Sequence, residues 1–273
     1  MGAGIAEVCA RRGLHVKLVE VDDAAAARAR DRVQASLRRA VCRGKLDEPE
    51  AQAALERVET SPDLSTMADR EVVVEAVVER KDVKLEVMRR LARLVDGDDV
   101  ILASNTSSIP IVEMAAVAGD RCGQVVGLHF FNPVPVMALV EVIPSLLTAP
   151  EVTAAAEAFV RERLGKDPIR APDRAGFTVN ALLVPYLLSA IRMFEQGLAT
   201  AEDIDRGMVH GCAHPMGPLA LCDLIGLDTV MGIAETLHAE HREQLYAPPP
   251  LLSRLVAAGL LGRKSGRGLY RYD

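Results

Sequence analysis

No run of about 18 apolar residues free of charge occurs in the sequence, so no segment reads as a transmembrane helix. Positive charge is in deficit. Against 38 Asp and Glu stand 32 Lys and Arg, a formal net charge of −6, and a chain without a basic excess lacks the electrostatic footprint of a nucleic-acid binder. The opening MGAGIAEVCARRG has no basic stretch followed by an apolar core, and so does not read as a signal peptide. Cysteine is sparse: Cys9, Cys42, Cys122, Cys212 and Cys222 are odd in number, scattered and never at CxxC spacing. That fits reduced thiols in a cytoplasm better than a disulfide framework or a zinc site. His210, His214, His238 and His241 have no acidic cluster at ligand spacing, so no metal site is expected. What remains is 273 residues, 49% hydrophobic and 26% charged, the composition of a folded globular chain of about two domains at ~150 residues each.

The patterning divides the chain. Gly2 to Arg12 is small and apolar enough for a helix that Gly13 can end. LHVKLVE (Leu14 to Glu20) alternates as a strand does, and Asp22 and Asp23 can cap the Ala/Arg-rich helix that follows. A further helix is expected from Glu48 to Val58. EVVVEAV (Glu71 to Val77), VILAS (Val100 to Ser104), QVVGLHF (Gln124 to Phe130) and LVEVI (Leu139 to Ile143) read as strands, and KDVKLEVMRRLARLV as an amphipathic helix. Strands joined through helices imply a Rossmann-like α/β domain with a mostly parallel sheet. From Phe177 onward only helical patterns occur, and PIRAPDRAG reads as a joint. The expected domains are therefore 1–172, α/β and N-terminally incomplete, and 173–273, all-α.

A dinucleotide-binding domain opens with a strand, then GxGxxG, a helix, a second strand and an acid at its end. Here the chain opens at the helix. Gly2 stands as the third glycine of that fingerprint, and Glu20 ends the second strand, where a carboxylate accepts from ribose hydroxyls and repels a 2′-phosphate, favouring NAD over NADP. The same residues also read simply as small helix positions and a solvated turn acid.

Several polar residues interrupt apolar patterns. His129 ends QVVGLHF, where open sheets bind ligands, and an imidazole there serves either as a general base or as a structural side chain. Glu141 interrupts LVEVI; buried, it needs a partner such as His129, and on an edge strand it faces solvent. Ser107 in SNTSS reads equally as a turn serine. Asn180, inside FTVNALLVPYLL, is a helix-start cap or an interhelical hydrogen-bonding group.

The blocks SNTSSIPI, GLHFFNPVPVMALVEVI, GFTVNALLVPYLLSAI, HPMGPLALCDLIGLDTV and GRKSGRGLYRY, in this order and spacing, resemble the 3-hydroxyacyl-CoA dehydrogenases, particularly the bacterial 3-hydroxybutyryl-CoA type. Members of that family begin with a strand and GxGxMGxGIA, so Met1 corresponds to the internal methionine and the expected missing piece is about a dozen residues. The resemblance implies an NAD-dependent enzyme of fatty-acid β-oxidation or butyrate-type metabolism. The implied enzyme would oxidise (S)-3-hydroxyacyl-CoA, as a cytoplasmic homodimer without nucleic-acid or membrane partners. It implies His129 as base, Glu141 as its partner, Ser107 on the substrate's 3-oxygen and Asn180 near the thioester. It places Gly2, Glu20, Glu79, Lys84, Asn105, Ser107, Asn132 and Lys264 at the cofactor, and Ser36, Arg43 and Lys45 at the acyl-CoA. Unaided, Glu79 and Lys84 read as a solvated helix start, and Arg43 and Lys45 as ordinary surface cations. Two other readings stay open: a non-catalytic acyl-CoA-binding or structural relative, and a dehydrogenase of non-thioester 3-hydroxy acids.

Overall fold

The computed structural model describes residues 1–272 and divides the chain into two compact units, Met1–Asp173 and Arg174–Asp273. In the first, α1 (Gly2–Arg11) leads to β1 (Val16–Val19), α2 (Asp23–Cys42), α3 (Glu48–Glu56) and β2 (Val58–Ser61). Gly13, at φ +84°, turns the chain off α1, in the left-handed region that glycine enters without strain. The Asp22 carboxylate caps α2 by accepting from the Ala25 amide at 2.6 Å, and α2 then buries Ala25, Ala29, Val33 and Leu37 along one face. A reciprocal Asp47–Glu50 capping box opens α3.

The helix expected through Val58 stops at Glu56. Val58 instead starts β2, pairs in register with Val16 and is buried. Tertiary pairing captures a β-branched residue that local pattern assigned to the helix.

The unit continues through β3 (Val72–Glu75), α4 (Lys81–Leu94), β4 (Ile101–Ser104), α5 (Ile111–Val117), β5 (Val125–Phe130), β6 (Leu139–Pro144), α6 (Pro150–Ala158) and β7 (Asp167–Arg170). β1 and β2 form one parallel ladder; β3-β4-β5-β6-β7 form a second, parallel except between β5 and β6. The start of α1 lies where the two ladders converge, since a Cβ on Gly2 would stand 3.8 Å from both Leu18 on β1 and Ala76 just beyond β3. The antiparallel step follows from the short link between β5 and β6, because a parallel return needs a longer crossover. β7 occupies part of the stretch expected to be only a joint. Pro168 is tolerated there because β7 is the last strand of its ladder. Apolar side chains of α1 (Ile5, Val8), β4 (Ile101), β5 (Val126, Leu128) and β6 (Val140, Val142) make the core on one side of this sheet.

The second unit contains α7 (Val179–Glu195), α8 (Ala201–Cys212), α9 (Pro218–Ile225), α10 (Leu227–His241) and α11 (Pro250–Ala257), around Leu187, Leu188, Ile191, Leu219, Leu227 and Leu237. Two buried carboxylates organise it. Asp205 accepts from the Leu219 and Ala220 amides at the start of α9 and from the Tyr270 hydroxyl. Asp223 accepts from the Leu269 and Tyr270 amides and the Tyr272 hydroxyl. The C-terminal GRKSGRGLYRY is thus not helical in its entirety; it folds back through bridges at Gly262, Arg267 and Arg271. Among the described residues, no helix is long and apolar enough to cross a membrane, and no cluster of three potential metal ligands occurs.

Candidate active site

β5 and β6 pair so that His129 faces Glu141 directly across the ladder. Glu141 Oε2 lies 2.7 Å from His129 Nδ1. A carboxylate can only accept, so the Nδ1 proton points at Glu141, and in the neutral ring Nε2 then carries the lone pair. On that side, Ser107 Oγ stands 3.1 Å from Nε2 and donates to it. Glu141 is wholly buried at 0% exposure and His129 is 5% exposed. Because β7 pairs along the other side of β6, with Ile169 opposite Glu141, the acid sits on an internal strand and not on a solvated edge. A carboxylate in that position requires a charge-compatible partner, and the imidazole supplies it. Phe131 meets the His129 ring edge-on at 4.7 Å between centroids, adding a further restraint on the ring.

The Ser107 loop follows β4 and is gathered onto one oxygen of Glu79. Glu79 Oε1 accepts from the Thr106 hydroxyl, the Ser107 amide at 2.9 Å, the Ser108 amide at 3.1 Å and the Ser108 hydroxyl at 2.8 Å. Burial raises the Glu79 carboxyl, but the Thr106 hydroxyl, the Lys84 ammonium, the Ser107 amide and the Ser108 hydroxyl together outweigh it and hold the group below the ordinary glutamate range. Lys84, 0% exposed, places its ammonium 2.8 Å from Glu75 and 3.3 Å from Glu79. Asn105 uses its side-chain oxygen on the Phe130 amide at 2.9 Å, tying the end of β4 to the end of β5 and leaving its NH2 end to serve a ligand.

An acid, an imidazole and a hydroxyl in line support two chemistries: nucleophilic attack by Ser107, or proton transfer by His129. Acyl transfer also needs amide donors aimed at a developing oxyanion. The Ser107 and Ser108 amides beside the hydroxyl are consumed by Glu79. The arrangement is therefore that of a proton carrier with an orienting serine.

A dinucleotide fits the donor set of the same sheet. The N-terminal end of α1, a ten-residue helix, lies beside Leu18 on β1 and Ala76 just beyond β3, and a helix N-terminus is the end that suits a pyrophosphate. Glu20 follows β1, half-buried and only loosely paired with Arg32 at 3.4 Å, leaving carboxylate capacity for a ribose diol. A Cβ at Gly2 would make only ordinary contacts, so protein packing does not by itself require glycine there.

The other expected residues are distributed as follows. Asn132 is exposed and precedes a cis bond to Pro133. Ser36 lies on α2, Arg43 caps its end and Lys45 follows in the turn, both cations exposed. Asn180 begins α7 in the second unit, 9% exposed. Lys264, in the same unit, pairs with both oxygens of Asp228 at 2.5 and 2.6 Å. Sequence reasoning passed over Glu75, Ser104, Thr106, Ser108 and Phe131. The signal for Glu75 was present: like Glu141, it is a carboxylate interrupting an apolar strand.

Residues 1–174 match the NAD-binding domain of 3-hydroxyacyl-CoA dehydrogenase, and residues 176–272 match that family's C-terminal domain. A 3-hydroxybutyryl-CoA dehydrogenase of Mycobacterium tuberculosis is 53% identical over 272 residues, covering 100% of this chain and 95% of the relative. The crystal structure of M. tuberculosis FadB2 superposes with a TM-score of 0.98 at 52% identity, covering 100% of this chain and 95% of that one. That of the (S)-3-hydroxybutyryl-CoA dehydrogenase PaaH1 from Ralstonia eutropha gives 0.94 at 45% identity, with the same coverage.

Proposed function

The chain belongs to the 3-hydroxyacyl-CoA dehydrogenase family, and from that premise we propose that it oxidises (S)-3-hydroxyacyl-CoA, short chains such as 3-hydroxybutyryl-CoA above all, to 3-oxoacyl-CoA with NAD, and catalyses the reverse. One observation carries the reading: the Glu141–His129–Ser107 line, with the neighbouring amides closed off by Glu79.

The cofactor, when bound, would supply the acceptor for a hydride from C3. The chain's own residues handle the proton. His129 Nε2 takes it from the 3-hydroxyl, and Glu141 stabilises the imidazolium that results. Ser107, released from Nε2 by the substrate oxygen, donates to that oxygen and holds it at the ring. Substrate loses one proton to His129 and two electrons with the hydride, so the balance closes.

For the cofactor, Gly2 and the α1 amides serve the pyrophosphate, Glu20 the ribose, and Asn105, Asn132 and Ser107 the nicotinamide end. Lys84 contributes through Glu79, since its ammonium is buried between two carboxylates. Lys264 keeps a cofactor role only as an exchange against Asp228. Arg43, Lys45 and Ser36 on and beside α2 suit the phosphates of CoA, and Asn180 is assigned to substrate as a single residue. A homodimer and a cytoplasmic location belong to the same reading; the five free thiols support a reducing compartment.

The test is NADH consumption with acetoacetyl-CoA. Turnover with the thioester, faster than with free acetoacetate and faster with NADH than NADPH, is the expected result. Saturable acyl-CoA binding without NADH consumption would favour a binding protein instead.

A further inference from the structure

We propose that Glu75, which touches none of the reacting atoms, is a positioning residue that holds Ser107 against His129 through Lys84 and Glu79. This rests on the dehydrogenase reading above and adds to it the part of the sheet that sets the serine.

Glu75 closes β3 and is 3% exposed. Its carboxylate is saturated. Oε1 accepts from the Lys84 ammonium at 2.8 Å and the Val77 amide at 2.7 Å, and Oε2 accepts from the Ser104 hydroxyl at 2.7 Å and again from Lys84 at 3.1 Å. The parallel ladder sets this up, pairing Glu75 in register with Ser104 at the end of β4. The Asn105 amide adds a bond to the Glu75 carbonyl at 2.8 Å. Lys84 is thereby fixed from below, and its ammonium reaches the second oxygen of Glu79 at 3.3 Å. With Oε2 of Glu79 held, Oε1 is aimed at the Thr106, Ser107 and Ser108 donors. Thr106, fully buried, braces the turn further by accepting from the Ser108 and Ile109 amides. The loop then delivers Ser107 Oγ to 3.1 Å from Nε2.

The order matters physically. Glu79 is partly exposed, with 40% of its side chain in solvent, so alone it would be a mobile hook. A buried cation that is itself clamped by a buried carboxylate makes it a rigid one. A sub-ångström error at Ser107 is sufficient to lower turnover, because the effect of an orienting hydroxyl depends on its position in the transition state.

If Glu75 serves only to neutralise a buried lysine, its loss lowers stability and leaves catalysis alone. If it acts through Ser107, its effect vanishes once the Ser107 hydroxyl is gone. The experiment is a double-mutant cycle on the full chain with E75Q and S107A, reading kcat and KM for acetoacetyl-CoA with NADH. Expected is a fall of about tenfold in kcat for E75Q with KM within about twofold, shrinking to less than about twofold in the S107A background. Independent, multiplying losses overturn the proposal, as does an unchanged kcat. A second readout needs no turnover: the 15Nε2 resonance of His129 in histidine-labelled protein, assigned with H129Q. It is expected to move in the same direction in E75Q and S107A; no movement in E75Q overturns the relay. Should E75Q fail to fold, S104A removes one donor and no charge; a loss of about threefold in kcat that disappears with S107A supports the relay, and full activity overturns it. If the wild-type chain fails to reduce acetoacetyl-CoA, the functional reading falls while the resonance comparison still decides the relay.

Discussion

Glu141 stands directly opposite His129 on the neighbouring antiparallel strand, with Oε2 2.7 Å from Nδ1 and no solvent exposure. The pair is thus a property of strand register as much as of residue type, and it directs the lone pair of Nε2 toward Ser107.

His129→Gln keeps the ring's approximate volume and an acceptor but cannot carry the proton. Its turnover is expected to fall at least ~10²-fold, with a thermal unfolding midpoint close to wild type. Unchanged turnover removes the base assignment.

Glu141 is tested by two substitutions that separate stability from chemistry. E141A leaves the Nδ1–H facing a hole in a buried ladder, and a buried donor left without its acceptor costs about 1–3 kcal/mol. E141Q keeps an acceptor for Nδ1–H but not the charge, so unfolding in urea should change less while kcat falls by about 10–10²-fold. Equal kcat for E141Q and wild type would show that the acid merely fills space.

Ser107 carries a prediction about what the site does not do. Because Glu79 occupies the Ser107 and Ser108 amides, the wild-type chain should release no free thiol from acetoacetyl-CoA in the absence of NADH, as read by a thiol reagent. S107A should lower kcat with little change in KM. Hydrolysis that disappears in S107A would identify a working nucleophile and sink the proton-carrier reading.

Glu20 is expected to set the choice of dinucleotide. E20A removes the carboxylate that follows β1 and is paired with Arg32 at 3.4 Å. The KM for NADH should rise by about tenfold and the preference over NADPH should narrow. A variant that discriminates as wild type does places the determinant elsewhere.

Glu79 supplies the pH prediction. Although burial pushes it up, its hydrogen bonds and Lys84 hold it below the ordinary glutamate value in the folded chain. A depressed folded value means stabilisation present above the unfolded value of about 4.3 and lost as pH falls through the lower folded one. Urea midpoints of wild type should therefore exceed those of E79Q near neutral pH and converge with them on acidification. Because the carboxylate is partly exposed, the difference is small. A gap that widens in acid has the wrong sign and rejects the assignment.

The residues themselves carried much of this. Alternating and continuous apolar runs located six of the helices and strands that frame the site, and the Asp22 cap and the turn at Gly13 appear where the local chemistry calls for them. The five short blocks were sufficient to identify the family because they occur together in one order and spacing, although any one of them alone is a weak signal. Where the reading failed, the cause was non-local. Val58 looks helical until Val16 is beside it, and Pro168 to Arg170 looks like a joint until β6 offers an edge. Glu75 was absorbed into an apolar strand although the argument that exposed Glu141 applied to it equally.

By itself, then, the order of amino acids determined the α/β-then-helical plan, the absence of a membrane-spanning helical pattern, and the presence of an imidazole and two acids in apolar surroundings. Only the tertiary structure decided which groups face one another. The antiparallel β5–β6 register set Glu141 on His129, β7 turned an ambiguous acid into a buried one, and the β3–β4 ladder put Glu75 beneath Lys84 and Ser104. The physical reason is that hydrophobic periodicity is written in neighbours two to four residues apart, whereas the partner of a buried charge is chosen by strand pairing between residues far apart in the chain.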